Sequence, residues 1–492
     1  MQKKLLYIPF FPFLLPVFFV LHGYIEHAAY MSLRNCYGLA AAYLLAALIF
    51  FGLLYLVYRD VTKAALALGC LQACSFFFGS VQDLLQRAVP FLAQTVVLLP
   101  VVTVLALVIL VRLKKTGGRL SRLTLFLNTL VLIYLLVDGT KAFFIGQQRQ
   151  TKLAVATAFQ PQQVGPCDSG CRYPDVYLLL MDEYAGTRSL QKWYGYDNSG
   201  LDSFLLSQGF HLYHDSHSNY NFTAFSMASI LNMSYLEGLP PGNACSVSDY
   251  AYCSNLIRGS GVMRQFSQAG YDIVNYSIFD LEDRPSEVNL HLLPVKANLI
   301  SGQTLWGRVR RDLGPRFYKL PVPVLKDQAY QVMHDNDRFI EGVLKQSQAA
   351  ASHPRFIYAH LEMPHHPYFL DRNGRLKGPG EAMVRDIRPY LDYLPPTNKV
   401  IKKMVDAIQQ NTHRSAVIIL MGDHGVRYDV PGDSLHTHDF ENLNAVFFPG
   451  PDYHAFPESI NGVNQFRVVL SRIFRQSIPL LPDSTVYLTD RK

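Results

Sequence analysis

The first 150 residues hold five apolar stretches, at 5–24, 37–58, 64–78, 90–111 and 123–145, so this part of the chain cannot fold as a water-soluble globule. A helix needs about 20 residues, at roughly 1.5 Å of rise each, to cross the hydrocarbon of a bilayer. The third stretch is short and holds Gly69, Cys70, Gln72, Cys74 and Ser75, so it reads either as a span or as a buried re-entrant segment. The first has no small-residue cleavage site and four more follow it, which argues against a removed signal peptide. A transmembrane domain of five α-helices over residues 1–146 is the expectation.

Charge gives the orientation. Residues 1–150 carry 13 Lys/Arg against 4 Asp/Glu, and the remainder carries 32 against 34, so the net +7 of the chain comes wholly from the apolar part. Lys3, Lys4, Arg59, Lys63, Arg112, Lys114, Lys115, Arg119 and Arg122 fall in one set of loops, whereas the alternate loops hold Arg34 and Arg87. By the positive-inside rule the N-terminus is cytoplasmic, and five crossings put everything after about residue 146 outside. Positive charge placed between spans is topological, so nucleic acid is excluded as a partner.

A polar stretch at 147–172 reads as a linker, and the domain after it is expected over 173–492. Its cysteines lie as local pairs, Cys167 with Cys171 and Cys245 with Cys253. In an oxidising compartment such pairs suggest two short-loop disulfides; a zinc site is the rival, although neither pair is a CxxC. Cys36, Cys70 and Cys74 belong to the membrane part.

Short apolar runs at 175–181, 271–277, 355–362, 415–422 and 444–450 alternate with helical patterns at 201–207, 224–233, 261–268, 335–348 and 398–410. Continuous apolar runs fit strands buried on both faces, and the alternation predicts an α/β domain with a mostly parallel central sheet flanked by helices. Ligands bind outside the carboxyl ends of such strands. There the sequence places Asp182 and Glu183, the segment "PHHP" with His365 and His366, and Asp423 with His424 in "GDHG". Carboxylates and imidazoles from distant segments suit a hard-to-borderline divalent cation, Zn, Mn or Mg.

"NYNFTAFSMASILNM" at 219–233 adds Thr223 at the start of a helical pattern. The hydroxyl reads as an N-cap or as a nucleophile, since a helix N-terminus holds anionic esters and a metal lowers the pKa of a hydroxyl. Asn221 also opens a glycosylation sequon. The basic and aromatic run at 298–320, with Trp306, Val309 and Phe317, reads either as an amphipathic segment on the membrane or as a solvated charged face.

Asp182 after an apolar strand, Thr223 in T-A-F-S-M-A-S-I-L, "PHHP" at 364–367 and "GDHG" at 422–425 resemble, in order and spacing, the alkaline phosphatase and sulfatase superfamily. With membrane helices ahead of the domain, the chain resembles the lipoteichoic acid synthases and lipid A phosphoethanolamine transferases. The resemblance implies a sulfatase-like extracytoplasmic domain on a bacterial cytoplasmic (inner) membrane protein. It implies metal ligation by Asp182, Thr223, Asp423 and His424, with Zn or Mn ahead of Mg or Ca. It makes Thr223 the nucleophile and His365 a substrate contact, leaves His436 and His438 as alternatives for a downstream histidine, and gives Glu183 and His366 as further metal or substrate contacts. The implied activity moves a phosphoethanolamine or phosphoglycerol headgroup from a phospholipid donor to an envelope lipid or glycan acceptor. A phosphodiester or sulfate ester hydrolase is the alternative, and a degenerate non-enzymatic protein a second one. Sulfatases need a cysteine or serine followed by proline and arginine; Thr223, Phe225 and Met227 stand there instead, and threonine cannot become formylglycine.

Overall fold

The computed structural model describes residues 8–28, 31, 33–117, 120–152, 173–237, 244–288, 297–317, 329–450, 453, 456–457 and 459–490. The linker and the Cys167/Cys171 pair lie largely or wholly outside them. Two compact units emerge, one of Met1–Val155 with Leu293–Phe317 and one of Ala156–Leu292 with Tyr318–Lys492. The segment 293–317, expected in the second domain, thus clusters with the first.

The membrane unit shows part of the expected five spans. Among the described residues three helices are long and apolar enough to cross, within Cys36–Tyr58, Thr95–Lys115 and Ser121–Ile145. The third stretch becomes Val61–Phe76 and Phe78–Ala88, bent by 49°, which makes a fourth span if the pair is counted as one. Gln82, Asp83 and Arg87 in its second limb explain why it does not continue straight through hydrocarbon. Phe11–Glu26 has 16 residues, about 24 Å of helix, below the thickness of the apolar layer.

Buried polar groups in this unit are matched to specific backbone needs. Pro16 inside Phe11–Glu26 cannot donate to the carbonyl of Pro12. The Nε2 of Gln72 donates to that carbonyl at 2.8 Å instead. Asn128 accepts the N–H groups of Phe10 and Phe11 at 3.2 and 3.0 Å, serving the open first turn of the same helix. Without water, each such group left alone would cost several kcal/mol.

The second unit is built on a six-stranded sheet in the order β2-β7-β6-β1-β5-β4. The strands are β1 Val176–Met181, β2 His211–Leu212, β4 Asp272–Tyr276, β5 Arg355–Leu361, β6 Val417–Gly422 and β7 Asn444–Phe447; β3 Ala244–Cys245 and β8 Thr489–Asp490 form a separate parallel ribbon. All six residues of β1 are buried, as its unbroken apolar run requires of a central strand. The sheet is mixed, with parallel pairings in the majority, so the expectation of a mostly parallel sheet is met in part. β4, β5, β1 and β6 run parallel, whereas β7 is antiparallel to β6 and β2 antiparallel to β7. A parallel return needs a crossover helix, and between β6 and β7 the chain makes only the 3-10 turn Thr437–Asp439.

Register then positions the site. Met181 at the end of β1 pairs with Leu361 of β5 on one side and Gly422 of β6 on the other. The next residues, Asp182, Glu362 and Asp423, therefore leave three adjacent strands at one level.

Candidate active site

Asp182, Asp423 and His424 are buried and offer ligand atoms that lie within 4.8 Å of one another. Two carboxylate oxygens, Oδ1 of Asp182 and Oδ2 of Asp423, are buried with no hydrogen-bond partner. Buried charged oxygens are costly unless paired, and their orphaned state at a shared focus fits a bound cation. The other oxygens are held by protein. Oδ2 of Asp182 lies 3.2 Å from Nε2 of His360, and Oδ1 of Asp423 accepts the backbone N–H of Glu183 at 2.9 Å.

His424 is oriented by its neighbour. Its Nδ1 lies 2.7 Å from the Gly425 carbonyl, which can only accept, so the proton sits there and Nε2 presents its lone pair. That Nε2 is 3.3 Å from Oδ2 of Asp423 and 3.3 Å from Oγ1 of Thr223. Both glycines of "GDHG" are required by close backbone approach: a Cβ on Gly422 would collide with the Tyr184 carbonyl, and one on Gly425 with the His438 carbonyl.

Thr223 is the first residue of helix Thr223–Asn232, and the N-cap position belongs to Phe222, with extended ψ of 138°. The capping reading is therefore corrected, because no side chain caps this helix. The threonine hydroxyl sits at the helix N-terminus, facing the cluster, where the helix dipole favours an anion. Asn221 is buried and bonded to the Leu488 backbone at both ends of its amide, at 3.1 and 2.9 Å, which leaves no room for a glycan.

Glu183 sits at a φ of +59°, a strained setting for a residue with a side chain. Tyr390 holds its carbonyl at 2.9 Å, and Arg427 faces its carboxylate at 3.3 Å. His365 lies 3.8 Å from the other Glu183 oxygen, with its Nδ1 buried and unpartnered. Burial alone would raise the pKa of Asp182, but the imidazoles of His365, His360 and His424 outweigh it and hold the carboxyl well below the usual range. His365 shifts the other way: burial lowers its pKa, and the charges of Asp182 and Glu183 carry it above its ordinary value. Burial, then the charge of Asp182, pushes Glu362 up to about 7.

Other expected residues lie differently. His438 is buried with both ring nitrogens engaged, Nδ1 at 2.7 Å from Asp433 and Nε2 at 2.8 Å from the Tyr428 carbonyl. His436 stacks on Tyr487 at 4.4 Å, and His366 packs edge-on against Tyr368 at 5.5 Å. No disulfide joins Cys245 to Cys253 among the described residues, which corrects the expected local bridge. Both are buried, and burial raises the Cys253 thiol well above its usual pKa.

Sequence reasoning missed Arg427. The Arg427 guanidinium lies 4.9 Å from the ring of Phe222, the residue before Thr223, and feels Glu183, Asp182 and Asp423. A planar cation there is suited to the oxygens of a tetrahedral anion. Its signal was its place two residues after "GDHG".

The sequence model of the Sulfatase family matches residues 194–445, half of the chain, and takes in Thr223, His365, Asp423 and His424. The chain belongs to the sulfatase family. The membership also bears out the resemblance to the alkaline phosphatase superfamily, whose members use a divalent metal. No curated protein sequence matches the chain. Among solved structures, the C-terminal periplasmic domain of EcEptC from Escherichia coli is similar, with 11% identity, a TM-score of 0.39, and coverage of 67% of this chain and 94% of that one. BT1596, a 2-O GAG sulfatase, is similar at 11% identity and a TM-score of 0.38, covering 65% and 73%. The phosphonate monoester hydrolase of Agrobacterium radiobacter is similar at 12% identity and a TM-score of 0.36, covering 61% and 73%. Likeness this remote leaves the chemistry to be argued from the site.

Proposed function

We propose that the chain transfers the phosphorylated headgroup of a phospholipid, phosphoethanolamine or phosphoglycerol, to an envelope lipid or glycan through a phosphothreonine on Thr223. The observation that carries this reading is the Thr223 hydroxyl, uncommitted to capping and 3.3 Å from Nε2 of His424 beside the Asp182, Asp423 and His424 cluster. A divalent ion held by those three residues and Thr223, Zn or Mn ahead of Mg or Ca, would acidify the threonine hydroxyl and offset charge on the phosphoryl oxygens. Thr223 Oγ1 loses its proton to water and bonds to phosphorus, and the bond from phosphorus to the diacylglycerol oxygen breaks. His365, 3.8 Å from the Glu183 carboxylate, gives that oxygen its proton. The acceptor hydroxyl then attacks phosphorus and passes its proton to His365. The bond to Oγ1 breaks and Thr223 regains a proton from water. Arg427 orients the phosphoryl oxygens throughout. The occupied nitrogens of His438 make it a support for the loop after β6, and His365 the better acid and base.

Membrane helices support a lipid donor, and a threonine in place of the residue that becomes formylglycine disfavours ordinary sulfatase hydrolysis. Counting Phe11–Glu26 and the bent pair as spans gives five crossings, with the catalytic unit outside the cytoplasm of a bacterial inner membrane. Incubation of the purified chain with fluorescent phosphatidylethanolamine or phosphatidylglycerol tests the proposal. Diacylglycerol release with a headgroup mass added at Thr223 is the expected result; turnover that survives Thr223→Ala sinks the nucleophile. Release of the free headgroup to water with no acceptor dependence would favour the hydrolase.

A further inference from the structure

The segment 293–317 leaves the second unit, clusters with the membrane unit and returns at Tyr318. Its described part forms the helices Asn298–Ser301 and Leu305–Phe317. Polar groups seat it in a single register. Arg308 is 6% exposed, and its Nη2 lies 2.7 Å from Asp83 and 2.6 Å from Oε1 of Gln303. Asp312 accepts from Nε2 of Gln82 at 3.2 Å and from the Thr95 hydroxyl. The N–H of Gly79 donates to the Gln303 carbonyl at 2.9 Å, an approach that a side chain on Gly79 would block. Buried charges are tolerated only with such partners, so the helix is docked by specific bonds rather than laid loosely on the bundle.

These anchors define one end of the unit. Thr95 begins the helix Thr95–Lys115, whose other end carries Arg112, Lys114 and Lys115, the basic residues of the cytoplasmic loops. On the docked helix, Trp306 is 67% exposed, and Arg310, four residues on and so on the same face, is exposed too. Leu84 and Phe91, on the neighbouring Phe78–Ala88 and Pro90–Ala93, are 68% and 64% exposed. Leu and Phe side chains beside a span belong in hydrocarbon, and an indole with a nearby cation belongs at its polar edge.

We infer that Leu305–Phe317 is an interfacial helix, with Trp306 and Arg310 set into the phospholipid headgroup layer at the end of the bundle opposite the basic loops. The occupant of this face is lipid rather than protein because the surface is continuous with the sides of the membrane-spanning helices. Its cation also complements phosphate headgroups.

The chain has two tryptophans, so Trp193→Phe leaves Trp306 as the sole tryptophan, read by red-edge excitation that the 29 tyrosines do not absorb. That variant is reconstituted into vesicles of phosphatidylcholine brominated either close to the ester carbonyls or near the chain ends. Trp306 emission is expected to lose half or more of its intensity with the shallow bromines and clearly less with the deep ones. Equal or stronger quenching by deep bromines overturns the interfacial placement. So does emission untouched by lipid, whether iodide in the buffer quenches it, as for a solvated face, or does not, as for a protein-covered one. Should Trp193→Phe fail to fold, the unsubstituted chain and Trp306→Phe give the same reading. The lipid-dependent part of the quenching must vanish in Trp306→Phe, and its persistence overturns the inference.

Discussion

The Thr223 hydroxyl lies 3.3 Å from Nε2 of His424, and the opposite nitrogen of that ring is fixed 2.7 Å from the Gly425 carbonyl. The imidazole therefore presents a lone pair toward the threonine and the two aspartates. Because Phe222 rather than Thr223 holds the N-cap position, removing the hydroxyl should cost the helix nothing. Thr223→Ala is expected to lower headgroup release by about a thousandfold or more while shifting stability within about 0.5 kcal/mol. Turnover and thermal midpoint measured on the same preparation separate these effects, and a large loss of stability would return Thr223 to a structural role.

The orphaned oxygens of Asp182 and Asp423 predict linkage between metal and folding. A divalent ion that binds only the folded chain stabilises it by about 2.7 kcal/mol at a concentration 100 times its dissociation constant. Zn or Mn added to the chelator-treated chain should raise its thermal midpoint, and Asp423→Asn should abolish most of that rise. An unchanged response in Asp423→Asn would place the ion elsewhere.

The centre was legible from sequence because each central strand ends in a polar residue, and Asp182, Glu362 and Asp423 follow apolar runs of similar length. What sequence lacked was register: the pairing of Met181 with both Leu361 and Gly422 turns three separate strand ends into one row. Arg427 was missed because its partner Glu183 lies 244 residues away, and no local pattern marks such a pair. The antiparallel β7 escaped because apolar runs carry no direction; only the helix-free connection after β6 reveals it. Thr223 was displaced by a single position, since the choice of cap depends on the backbone of Phe222 rather than on which side chain could cap. The membrane stretches were found by hydropathy, which is blind to the bend between Phe76 and Phe78 and to the polar docking of Leu305–Phe317.

The two glycines of "GDHG" should tolerate no side chain. Gly425→Ala drives a Cβ into the His438 carbonyl, a backbone atom that cannot swing away. It should destabilise by at least about 2 kcal/mol and displace His424. Gly195 is a useful contrast: its φ is +63° and the space around it is open, so Gly195→Ala should cost only the left-handed strain, about 1 kcal/mol. Denaturation midpoints of the two variants check the ranking, and equal losses would refute the steric argument.

His211 on β2 provides a pH test remote from the metal ligands. Its Nε2 is buried without a partner, and its ring stacks on Tyr453 at 5.3 Å and meets Tyr213 edge-on at 4.7 Å. Burial lowers its pKa below 6.5, outweighing a hydrogen bond to the Pro457 backbone, and His214 adds to the lowering. Well above pH 6.5 the ring is neutral in both folded and unfolded chains, so its full contribution is present there. As pH falls below that value the unfolded chain takes up the proton first, and stability declines until the folded pKa is passed. His211→Phe keeps the aromatic packing and removes the titration, so its thermal midpoint should fall less steeply on acidification than that of the unsubstituted chain. Parallel profiles for the two proteins below pH 6.5 would show that the buried imidazole carries none of the acid sensitivity.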